Sequence, residues 1–371
     1  MMKQEEYMMY VANFNYATFH RQGFATAGHN GPHGHPDTPV RNTGHYLIIF
    51  SYLYKKTKEE KYLDICKKFA EYLMDMQKKS KSGAIQCMLS DKFDHLNGLI
   101  GQGWTIEALL YYYNISKDER CLDCAKAIFY SQKYDWGLHL WHRIELDERD
   151  IDIDPTYNHH VWYAACSYKL AELCHDDNID KIITDFLTKG AERDFRVHAE
   201  DGLLCHHVRV DRPVMKAAKR KMFIKKILSP IRFLNPQKLD PKFMEYAYHI
   251  FDLYGFCILK EKYGHLPLYS SESYKKALAC AQNIDYINKK LKSFQTGKIH
   301  NVYGYPYNSL AFEYPYVAKS CGFEPQGVLY KLYEIQKVLM WDEETKMFSR
   351  NQPDLETWNA RTYEIIRFLE S

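Results

Sequence analysis

The stretch 152–190, "DIDPTYNHHVWYAACSYKLAELCHDDNIDKIITDFLTKG", decides the architecture. An aspartate and a proline open an aromatic-rich apolar run at 156–175, and after a short gap a more charged amphipathic run follows at 178–192. Both runs carry helical periodicity. The couplet therefore predicts a helical hairpin, one helix buried on most sides and the next with a single apolar stripe.

The couplet recurs along the chain. Apolar, aromatic-rich helices are expected at 38–56, 97–115, 241–262, 307–321 and 356–370, and charged amphipathic ones at 58–79, 117–133, 271–290 and 325–340. The last apolar helix has no successor, and the helical segment near 3–17 has no other partner. Pairing these two closes six hairpins into a ring. Connections within hairpins are short, whereas those between them are long and hold alternating, strand-like stretches at 83–90, 136–146, 202–210, 297–305 and 346–351. The long loops then gather at the end where the inner helices begin, a usual place for binding and catalysis on a rigid scaffold. Asp37-Thr38-Pro39, Asp154-Pro155 and Asp240-Pro241 read as N-cap carboxylates ahead of an early proline, aiming helix N-termini at one cleft. The expected fold class is all-α: a single-domain (α/α)6 toroid over 1–371, with short β-strands in its long loops.

The bulk numbers set bounds. With 46% hydrophobic and 26% charged residues, 371 residues can bury a sizeable core. A net charge of +3 gives no support to nucleic acid as a partner. The 31 tyrosines are mostly expected to fill a helical core with hydroxyls at its edge, leaving a minority for a cleft. No apolar stretch follows a basic start at the N-terminus, and no run of about 18 apolar residues occurs, so neither a signal peptide nor a membrane span is expected. Ten scattered cysteines then read as reduced, buried thiols, Cys121 and Cys124 being a lone pair inside a helical pattern. The expected compartment is the cytoplasm.

Polar residues interrupt the apolar helices where a plain core would have none. They are Arg41, Asn42 and His45; Asn97, Gln102, Trp104 and Glu107; Asn158, His159 and His160; Glu245 and His249; Asn308 and Glu313; Arg361 and Glu364. Buried polar groups cost free energy unless paired, so clusters on every inner helix predict a polar-lined cavity. Any single member could equally be a hydrogen-bonded core residue. The loop "HNGPHGHPDTPV" (29–40) adds His29, His33, His35 and Asp37. Its histidine spacing is not one of the specific zinc patterns; the loop reads as a rigid polar loop or a cleft wall that contacts sugar rather than as a zinc site with Asp37, so no metal and no cofactor is expected. "GLIGQGW" (98–104) lacks the lysine or acid of a nucleotide signature and reads as close helix packing.

This pattern resembles the six-hairpin (α/α)6 toroid of carbohydrate-active enzymes, among them unsaturated uronyl hydrolases and N-acylglucosamine 2-epimerases. The local likeness is to the hydrolases, which place an Asp after an apolar residue at the mouth of an inner helix, with Asn four residues on. Ile153-Asp154 and Asn158 reproduce that spacing. The resemblance implies an oligosaccharide or polysaccharide substrate, with Asp154 as the general acid that protonates the C4=C5 enol ether of an unsaturated uronate. His45 and His160 would position water or substrate, and Arg41 or Arg361 would hold a carboxylate. An acid in that role must keep a proton near neutral pH, whereas a helix N-terminus favours the charged form. The hydrolases' early histidine-plus-aspartate motif is mirrored only loosely by "RNTGHYL" (41–47).

The epimerase likeness implies two opposing histidines on late inner helices. His249 fits one of them; the last helix supplies Arg361 and Glu364 instead. An ordinary two-carboxylate glycosidase could pair Glu107 with Glu245 or Glu313, a choice that carboxylate separation decides. Further candidates for sugar contact are His33, His35, Asp37, Asn42, Gln102, Trp104, Trp141, Trp162, Tyr307 and Asn308.

Residues 209–238 break the repeat with ten Lys or Arg against one Asp. Met215, Phe223, Ile224, Ile227 and Leu228 give the segment an apolar side. It reads as a basic amphipathic insertion that could touch an anionic membrane surface, hold a polyanionic glycan, or simply be solvated. A lipid-linked glycan and a non-catalytic glycan-binding role both stay open on this reading.

Overall fold

The computed structural model describes residues 2–90, 94–209, 242–292, 301–323 and 326–371. The chain folds as an (α/α)6 toroid. Helix α1 (Met2–Gln22) belongs to the outer ring. The inner α2 (Val40–Thr57) and outer α3 (Glu60–Gln77) make the first hairpin, and α4 (Gly98–Ser116) with α5 (Arg120–Ser131) the second. A small sheet, β1 (Tyr134–Asp135), β2 (Leu140–Ile144) and β3 (Asp150–Ile153), leads into the third hairpin. That hairpin is α6 (Tyr157–Leu173) with α7 (Asp177–Asp185), which runs on through a π turn at Phe186–Ala191. The inner α8 (Phe243–Tyr263) pairs with α9 (Glu272–Gln282) and α10 (Ile284–Lys292), and α11 (Leu310–Cys321) with α12 (Gln326–Met340). The sixth inner element is α13 (Leu355–Arg361), continued through Thr362–Ile365 into Ile366–Glu370. It packs on both α11 and α2, closing the ring, with α1 against it outside.

Burial follows the two patterns. Every residue of α4 from Gly98 to Leu110 is buried, because both the axis and the outer ring cover it. The outer α3 buries Tyr62, Ile65, Cys66, Phe69, Ala70 and Leu73, a stripe at helical spacing. Most tyrosines do fill the core with satisfied hydroxyls: Tyr163 donates to the Phe129 carbonyl at 2.7 Å and Tyr254 to that of Glu364 at 2.6 Å.

Two local expectations differ from the structure. Among the described residues only the 136–146 stretch yields a paired strand; 83–90, 202–209 and 346–351 give isolated bridges. In the straps at 83–90 and 202–209, side chains of inner helices rather than neighbouring strands satisfy backbone groups. Gln102 bonds both the amide and the carbonyl of Ile85, and His249 accepts from the Leu204 amide. Nor do Asp37 and Asp154 cap their own helices, which start three residues later with Pro39 and Thr156 as N-caps. The Asp240-Pro241 cap, residues 210–238 of the basic insertion and 297–300 lie outside the described residues. No described helix is long and apolar enough to cross a membrane.

Candidate active site

The N-termini of the inner helices and the straps surround a cavity of about 300 Å³. His33 and His35 come from the loop before α2, Gly98 and Trp104 from α4, and Asn158 and His159 from α6. The strap ahead of α8 brings His206 and His207; Tyr248 and Phe251 come from α8 itself. Tyr307, Asn308 and Arg361 complete the wall.

One pair stands out chemically. His159 reaches Asp154 Oδ2 from Nδ1 at 2.8 Å. The same oxygen accepts from the Leu99 amide in the first turn of α4 at 3.0 Å, while Oδ1 accepts from Thr156 N at 2.9 Å. Asp154 is thus a cap on the neighbouring inner helix. Burial works against its charge, but His159 and the Arg143 guanidinium outweigh it and hold the carboxyl well below the usual range. An ionised Asp154 makes Nδ1 of His159 the donor and leaves Nε2 as the nitrogen able to take a proton. Gly98 is required at this point: its φ is +60°, and a Cβ there would lie 2.3 Å from His159 Nδ1 and 2.6 Å from Asp154 Oδ2.

The other buried histidines of the wall stay neutral. Burial, reinforced by the Arg41 guanidinium, lowers His33 to about 4; burial and His207 lower His206 to about 3. His33 Nε2 lies 3.2 Å from the Tyr248 hydroxyl.

Beneath the cavity both arginines are committed to the protein. Arg361 donates to Glu364, Glu313, Asn308 and the Tyr307 carbonyl at 2.5–2.9 Å. Arg41 donates to Asn30 at 2.6 Å and to the Tyr307 hydroxyl at 3.0 Å, with Asp37 at 3.5 Å. Burial raises Asp37 to about 6 against the pull of Arg41. Burial and Glu364 also hold Glu313 far above the carboxylate range, against the pull of Arg361. His45 is fully buried between Tyr363, stacked at 4.4 Å, and Trp104.

The remaining candidates lie elsewhere. His160 and His249 each have both ring nitrogens bonded to backbone, His160 to Trp141 N and Asp154 O, His249 to Leu204 N and Ala277 O. Asn42 holds the Thr26 carbonyl, and Trp162 donates to Phe251 O and stacks on its ring at 4.6 Å. Trp141 packs among Tyr134, Tyr163 and Phe186. Glu107 faces a second cavity at the opposite mouth, paired with Arg367 at 2.6 Å. Glu245 bonds His198 at 2.8 Å and the His206 amide at 3.1 Å. His29 leaves the cavity for the Pro353 carbonyl.

Sequence reading did not single out Asp252. It accepts from Asn158 Nδ2 at 2.9 Å, and burial, aided by Glu245, raises it to about 8. The native state therefore holds a proton that the unfolded chain gives up above about pH 4. The stability this proton confers is complete below that point and is lost as pH rises toward 8. Asp252→Asn keeps the acceptor and removes the titration. Relative to wild type it is expected to gain about 1.4 kcal/mol per pH unit between pH 4 and 8, read from urea midpoints. A pH-independent difference would mean that Asp252 is ionised in the fold.

Set beside known proteins, the chain is 27% identical over 356 residues to archaeal glycosylation protein Q of Haloferax volcanii, covering 93% of this chain and 92% of that protein. Its structure is similar to that of a sugar epimerase from a ruminal bacterium, with a TM-score of 0.64 at 12% identity and 100% of both chains covered. It is also similar to an unsaturated glucuronyl hydrolase specific for heparin, with a TM-score of 0.60 at 12% identity, covering 99% of this chain and 98% of that one. No protein-family model matches the chain. The fold is that of the six-hairpin toroids found in carbohydrate-active enzymes.

Proposed function

We propose that this chain is a carbohydrate-active enzyme that transfers a proton at a sugar carbon, as an epimerase or isomerase. The observation that carries the reading is the His159–Asp154 pair at a cavity rich in histidines. Among the described residues Asp94 is the one carboxylate in its lining, and Asp94 is spent on Arg143 at 2.7 Å and on the Gly98 amide at 2.7 Å. Among the described residues a two-carboxylate hydrolysis therefore lacks its second member there. His159 Nε2 would take the proton from the carbon beside the carbonyl of an open-chain sugar. His33, His206 and Asn308 would donate hydrogen bonds to its oxygens, and the protonated His159 would give the proton back to the opposite face once the planar enediol has turned, inverting the carbon. With Arg41 and Arg361 already paired, a neutral sugar suits the cavity better than an anionic one.

A second reading, hydration of an unsaturated uronide, is favoured by Asp252, a carboxyl that keeps its proton near neutral pH directly behind Asn158. Incubation of candidate reducing sugars and unsaturated uronides in deuterium oxide separates the two. Deuterium at the carbon beside the carbonyl, with no cleavage, supports proton transfer. Loss of the unsaturated chromophore without deuterium incorporation into the reducing sugars assigns the second reading and removes the first. Binding without turnover would favour a glycan-binding role.

A further inference from the structure

We infer that His198, Cys205 and Glu245 form a zinc site that clips one wall of the cavity. Among the described residues these three side chains bring one donor atom each within 4.8 Å of one another. His198 Nε2 lies 2.8 Å from Glu245 Oε2 and 3.8 Å from Cys205 Sγ. Tetrahedral zinc with ordinary bond lengths separates such donors by about 3.3–3.6 Å, so modest side-chain shifts admit the ion. The nitrogen, thiolate and carboxylate set suits zinc, and its two negative charges balance the ion.

The backbone already holds the donors in place. His198 and Cys205 flank a tight turn closed by the Val197–Leu204 bridge, with His198 N donating to Leu203 O, Gly202 N to His198 O and Cys205 N to Arg196 O, each at 2.9 Å. The turn is pinned to α8 by the bond from Leu204 N to His249. Glu245 stands in the first turn of α8, and its other oxygen accepts from the His206 amide. The neighbouring cation, Lys242, is paired with Asp201 at 3.1 Å and with Glu200. Binding zinc releases the Cys205 thiol proton and replaces the His198–Glu245 hydrogen bond with two metal bonds. Three protein donors leave a fourth position for water. Because Glu245 also holds His206, which lines the cavity, zinc here fixes the cavity wall.

The test uses the full chain stripped of metal. Titration with zinc is expected to saturate at one ion per chain, and cobalt(II) to give tetrahedral visible bands with a thiolate-to-cobalt charge-transfer band. Cys205→Ser should abolish the charge-transfer band and weaken zinc by more than about tenfold, and Cys174→Ser should change neither. Should Cys205→Ser fail to fold, zinc protection of Cys205 from alkylation in the wild-type chain answers the same question. No stoichiometric zinc, a cobalt spectrum without the thiolate band, or an unprotected Cys205 would overturn the assignment.

Discussion

His159→Asn is expected to lower sugar proton exchange by about 10²–10⁴-fold, with the fold kept but somewhat destabilised because Asp154 loses the imidazole that offsets its burial. Asparagine keeps a polar contact to Asp154 but cannot take a proton. Its side chain is partly exposed at the cavity edge, with Asp154 beneath it still bonded to the Leu99 and Thr156 amides. In the proposed reaction Asp154 orients the imidazole, so Asp154→Asn should cost activity in the wild-type background. It should cost little more once His159 is gone, since groups acting as a unit are not additive. The check is a rate series for the two single variants and the double variant, by mass increase in deuterium oxide. Exchange by His159→Asn at the wild-type rate would remove His159 as the base, and additive losses would separate Asp154 from it.

Arg361→Met should destabilise the fold by about 3–5 kcal/mol, the range for removing one partner of a buried ion pair. Arg361 is 2% exposed and is the common partner of Glu313 and Glu364, which are also buried. Without it the two carboxyls can stay buried only by holding their protons. Their folded pKa values then rise further above those of the unfolded chain, so stability is lost as pH rises and the defect is larger at pH 8 than at pH 5. Glu313→Gln and Glu364→Gln in the same chain should recover part of the loss. Urea midpoints of the single and triple variants at both pH values are the measurement; equal defects at both would mean that the glutamates are not the source.

Polar groups on the inner helices serve two ends that the sequence does not distinguish. Gln102, His160 and His249 read from the sequence as possible members of a polar site, and each instead bonds the backbone of a strap. A buried histidine bound to backbone and one facing a cavity are the same letter in a sequence. His159 and His160 make the point, being adjacent and so about 100° apart around the helix. One turns to Asp154 at the cavity and the other to the Trp141 amide of β2. Asp252 is not legible as special in the sequence, because its raised pKa depends on burial, which its neighbours in sequence do not reveal.

Helical period, loop length and the alternation of apolar with charged helices are local properties of the chain. The residues alone therefore determined six hairpins, their closure by the N-terminal helix, and the end at which the straps and the cavity lie. The state of each charged group is a property of contacts made across the ring. Leu99 N, Arg143 and His159 converge on Asp154 only once α4, β2 and α6 are packed, and they keep ionised a carboxyl whose position had suggested a proton donor. Tertiary structure alone decided that Asp154 holds its charge and Asp252 its proton, because desolvation and partner charge act through space and not along the sequence.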